Sequence, residues 1–115
     1  MSIESLLVKQ AQLSDLRRQL KAEGCAEAEQ CTLRTGRNCI EEVYRDWHHA
    51  FNEDPYSEPG FEEAWSEAVC VGDVCQHCQN VRNLKKQRMQ AGREIAGVRA
   101  AITRVGRRLA KEQTA

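Results

Sequence analysis

The sequence predicts an all-α protein: an antiparallel, coiled-coil-like hairpin of N- and C-terminal helices, with a small cysteine-pinned helical head between them. Three observations predict it. Apolar residues recur at spacings of three and four near both ends, six cysteines fall in two groups of three between those ends, and strand-like alternation is absent throughout. A chain of 115 residues suits one domain with one modest core. Within residues 1–115, the hairpin helices are expected at 2–23 and 79–112, and the head at 24–78.

The first helix is expected to start at Ser2, a favourable N-cap, and to stop at Gly24. Ile3, Leu6, Leu13 and Leu20 form its seam, with Gln10 and Arg17 at the intervening seam sites and Leu7 and Leu16 widening the stripe. Its partner is the C-terminal helix, where Ala91, Ile95, Val98, Ile102, Val105 and Leu109 make an a/d heptad pattern. At the helical rise, Ile3 to Leu20 spans about 25 Å and Ala91 to Leu109 about 27 Å, so the two lengths match. Antiparallel pairing sets Ile3 near Leu109 and Leu20 near Ala91. Gly92, Ala96 and Ala100 form a second face of small residues that suits a second copy of the chain in a homodimer.

Two shorter helices are expected between these. Asn38 and Glu41 resemble a capping box, after which Ile40, Val43, Trp47 and Phe51 share one face. Residues 52–60 read as a turn or loop by their Asp, Pro, Ser and Gly content. Phe61, Ala64, Trp65, Ala68 and Val69 mark the next helix, which Gly72 breaks. Asp73, with Gln76 three residues on, is the expected cap of the final helix. Trp47 and Trp65 are expected as core anchors, and His48 and His49 as surface residues.

The strongest local pattern is Cys70-Val71-Gly72-Asp73-Val74-Cys75-Gln76-His77-Cys78, a C-x4-C-x2-C arrangement. Cys75 and Cys78 fall one helical turn apart at the positive end of a helix, a field that favours thiolate. Thiolate sulfur is the ligand a soft metal needs, and tetrahedral zinc takes four. The expected ligands are Cys39, Cys70, Cys75 and Cys78, with Cys25 and Cys31 as the other members of the first group and His77 as a substitute. Disulfides between the two groups, and thiol redox chemistry at Cys75 and Cys78, are alternatives. A further alternative is an iron–sulfur cluster, because the spacing resembles that of plant-type ferredoxins over nine residues. No cysteine follows Cys78, and no sheet is predicted to carry that fold.

Charge is segregated behind a formal net charge of zero: residues 41–73 hold ten acids and one base, residues 82–111 ten bases and one acid. The acids Glu41, Glu42, Asp46, Glu62, Glu63 and Glu67 read as a solvated face, since no nucleophile or pocket accompanies them for acid–base chemistry. Arg82, Lys85, Lys86, Arg93, Arg99, Arg104, Arg107 and Arg108 lie mainly off the seam and form the expected partner-binding surface. The sequence therefore points to a cytoplasmic, non-enzymatic regulatory protein that is zinc-stabilised and binds a protein target. Nucleic acid is the alternative partner, and a membrane is not expected, because no stretch approaches the roughly 20 apolar residues a span needs.

Overall fold

The computed structural model describes residues 2–35, 37–53 and 60–114, excluding the side chains of residues 32–35 and 51. These residues form four α-helices: α1 (Ile3–Thr35), α2 (Cys39–Glu53), α3 (Phe61–Cys70) and α4 (Gln76–Thr114). None is long and apolar enough to cross a membrane. The chain divides into two compact units, one made of residues 1–23 and 84–115, the other of residues 24–83.

The first unit is the helical hairpin. Ser2 begins it as a cap, its Oγ accepting the Ser5 N–H at 3.2 Å. Leu6 and Leu13 of α1 pack with Ile95 and Val98 of α4, and half-buried Ala101, Ile102 and Val105 extend this core. Leu20 and Ala91 are also buried. Full burial of an aliphatic side chain contributes about 1.5–3 kcal/mol, so this seam holds a pair of helices that would be marginal alone. Leu7 and Leu16, expected to widen the stripe, are instead exposed. A helix packed against a single neighbour buries only a narrow stripe, and these two positions fall outside it. Gly92 faces Arg17 within the hairpin: a Cβ there would meet Cζ of Arg17 at 3.6 Å, an ordinary van der Waals contact that alanine would tolerate.

The second unit has a different core, built from Cys31, Trp65, Val74 and Cys78, with Ile40, Val43, Phe61, Ala68 and Val69 packed against it. Asn38 caps α2 as expected, its Oδ1 accepting the Glu41 N–H at 2.8 Å. The helix continues through Asn52 and Glu53, two residues expected in the loop. Residues 54–59 and the side chain of Phe51 lie outside the described residues. Trp65 is buried and Trp47 half-buried, while His48 and His49 pair separately with Asn52 and Glu53.

Two helix boundaries differ from the sequence reading. The first helix does not stop at Gly24 but runs to Thr35. Gly24 does not take a positive φ, and a helical glycine costs only about 1 kcal/mol relative to alanine. The strong helix formers Ala26, Glu27, Ala28, Glu29 and Gln30 follow it and carry the helix on. The last helix starts at Gln76, so Asp73 is not its cap. Gly72, at φ 84°, closes α3 in a Schellman turn. Its N–H donates to Val69 O at 3.2 Å, and the Asp73 N–H donates to Ala68 O at 2.9 Å. Asp73 is thereby tied to the end of α3, and buried Val74 separates it from α4.

Candidate metal centre

The extension of α1 past Gly24 brings Cys31 into the core of the second unit. Cys39 opens α2 directly after its Asn38 cap, Cys75 immediately precedes α4, and Cys78 is its third residue. The sulfurs of these four cysteines all lie within 4.8 Å of one another. The Sγ atoms of Cys31 and Cys39 are 3.6 Å apart. Zinc with sulfur at about 2.3 Å in a tetrahedron sets its ligands about 3.8 Å from each other. The four thiols are therefore spaced to hold one metal ion.

Backbone donors converge on the same atoms. The Cys75 N–H donates to Cys39 Sγ at 3.4 Å, the Cys78 N–H points at the Cys75 sulfur, and the N–H groups of Ile40 and Cys39 point at the Cys78 sulfur. Such donors favour thiolate, the form that binds metal. Burial works the other way. It pushes Cys78 well up, with the Cys31 thiol adding to the effect. It also raises Cys39, against the Cys75 N–H. At Cys75 burial is outweighed: the Cys78 N–H and the thiols of Cys31, Cys39 and Cys78 bring it down to about 7. Cys75 is thus the thiol held below its ordinary value, beside Cys39 and Cys78 held above theirs. A metal ion bound by these four sulfurs would take the place of thiol protons and offset the cost of burying thiolate charge.

Three of the four expected ligands, Cys39, Cys75 and Cys78, come together here. Cys70 does not: it is exposed at the end of α3, and Cys31 stands in its place. The Schellman turn follows directly after Cys70, so short spacing in sequence does not carry it into the group. Cys25 is exposed as well, and all six cysteines are unpaired. His77 is turned to another task, donating from Nδ1 to Glu27 Oε2 at 2.7 Å. That bond holds the Glu27 carboxyl below its ordinary value of 4.5 and ties α1 to the first turn of α4 within this unit.

Arg82 also departs from its expected role on the partner-binding surface. Its guanidinium lies over the rings of Phe61 and Trp65, at 5.0 and 5.2 Å from their centroids, and pairs with Glu62. With only 12% of the side chain exposed, it belongs to the packing of this unit. Lys85, Lys86, Arg93, Arg99, Arg104, Arg107 and Arg108 are exposed on the hairpin. The hairpin also holds a cationic cleft that a reading of α4 alone misses: Arg17, Arg18 and Lys21 of α1 face Arg88 and Arg99 of α4 across it. Helical spacing on α1 places Arg17 and Lys21 four apart, a signal present in the sequence once the pairing register is known.

Comparison with protein-family models, with curated proteins and with solved structures gives no match.

Proposed function

We propose that this chain is a small non-enzymatic regulatory protein, that one zinc ion holds its second unit together, and that it binds a protein target through the exposed cations of its hairpin. The observation that carries the reading is the set of four sulfurs within 4.8 Å. Four soft ligands at that spacing suit one zinc ion. An iron–sulfur cluster distributes its thiolates over several irons and spreads them more widely. Four protein ligands also fill the tetrahedron, and a structural zinc has no open position at which to activate water. Four reduced thiols are best preserved in the cytoplasm, where disulfides are rare.

The residues assigned to the partner are Lys85, Lys86, Arg93, Arg99, Arg104, Arg107 and Arg108, which lie on a unit of thirteen basic and five acidic residues. A surface of that sign steers an acidic partner toward it. The second reading is nucleic acid, favoured by the five cations that line the cleft between α1 and α4.

A labelled duplex of arbitrary sequence separates the two. The protein-binding reading predicts that any attraction seen at low salt is gone at physiological ionic strength, where screening acts over about 8 Å. Duplex binding that persists there, and disappears when Arg99, Arg104 and Arg107 are reversed to Glu in a chain that still folds, would replace the protein target by nucleic acid.

A further inference from the structure

We propose that the cleft between α2 and α3 is a docking groove for a basic amphipathic helix of a partner protein. The cleft encloses about 570 Å³, and both of its walls follow helical spacing. Val43 and Trp47 come from successive turns of α2, and Ala64 and Ala68 from successive turns of α3. All four are half-buried, so they make an apolar floor with small residues on one side. Val71 stands at its lip with 65% of its surface exposed, open to contact from an incoming helix. An apolar groove between two helices receives side chains at i, i+3, i+4 and i+7 of an incoming helix.

The rim selects the charge of the occupant. Glu42, Asp46, Glu67 and Asp73 line the same cleft, on a unit that carries twelve acids and four bases. Glu42 is shared with Arg37 at 3.7 Å, while Asp46, Glu67 and Asp73 are exposed. This field repels nucleic acid and anionic lipid, and attracts lysines and arginines that flank an apolar stripe. A bound cation is a poorer fit, because these carboxylates form no metal-holding group among the described residues. The occupant is therefore apolar on one face and basic on the other.

The proposal rests on the reading of this chain as a protein-binding protein, but it uses a surface distinct from the hairpin arginines. The test is fluorescence anisotropy of a labelled peptide of about eighteen residues, with leucines on one helical face and lysines on the other. It is titrated into the full-length, metal-loaded chain. Asp46→Lys and Glu67→Lys are each expected to weaken binding about tenfold, as loss and reversal of a rim charge does at a complementary surface. Val71→Asp is expected to weaken it as much by removing the apolar lip. Glu63→Lys, on the same helix but outside the cleft, is expected to change it less than twofold.

A peptide that fails to bind the folded wild-type chain overturns the proposal. So does an equal loss from Glu63→Lys, which would reduce the effect to diffuse charge, or equal binding of a scrambled peptide with leucines on every face. Self-association of the chain that Asp46→Lys abolishes would give the groove to a second copy and overturn the choice of occupant. Metal content and circular dichroism are recorded for every variant. A failure of the groove with zinc still bound is thereby distinguished from a failure of the zinc reading.

Discussion

If the four sulfurs hold the proposed zinc, Cys78→Ser is expected to lose it and to unfold the second unit. Cys78 is completely buried, and with Cys31 it supplies two of the four buried residues of that core. The proposed zinc ligands and the hydrophobic core thus overlap. A unit this small has only a modest core besides, since the fraction of surface buried on folding shrinks as chains get shorter. Binding of a structural zinc contributes on the order of 10–16 kcal/mol to folding in zinc-finger peptides, far more than the few kcal/mol of ordinary core side chains. Chelation of the wild type and mild acid should act in the same direction, because both compete for the thiolates. The measurement is far-UV circular dichroism with metal analysis. Cys25→Ser, at an exposed position, should leave both close to wild type.

Aspartate at Val98 is expected to melt the hairpin. Val98 is 6% exposed and packs with Leu6, Leu13 and Ile95 in the seam. A carboxylate there is charged among aliphatic groups or neutral and poorly hydrogen-bonded, and an uncompensated buried charge costs about 3–5 kcal/mol. Ala100→Asp, two residues away at an exposed position on α4, should change stability by only a few tenths of a kcal/mol. Thermal melts of the two variants give the comparison. Equal midpoints would show that the seam is misplaced.

The hairpin was legible because its signal is local and repeated. Ala91, Ile95 and Val98 keep the heptad spacing and are all buried, as are Leu6, Leu13 and Leu20, and Ile95 and Val98 pack with Leu6 and Leu13. The break at Gly72 was legible for a similar reason, since a positive φ at the end of an apolar helix is glycine's usual role. The ligand set was only partly legible. Cys75 and Cys78 are held by a short turn of chain, whereas Cys31 joins them only because α1 passes through Gly24, where propensity is a weak guide. Cys70 drew attention by closeness in sequence, yet the turn between it and Cys75 leaves it exposed. Arg82 read as one more surface cation, because nothing in its own helix reveals that Phe61 and Trp65 lie beneath it.

Native mass spectrometry of wild type, Cys31→Ser and Cys70→Ser reads whether one zinc ion is held by the four clustered sulfurs. The structure sets Cys31 among the four sulfurs within 4.8 Å and leaves Cys70 outside them. One zinc per chain is expected in the wild type and in Cys70→Ser, and loss of that zinc in Cys31→Ser. A wild-type chain that carries no zinc when purified under reducing conditions with zinc supplied, or a zinc that survives Cys31→Ser and departs with Cys70→Ser, would contradict this expectation.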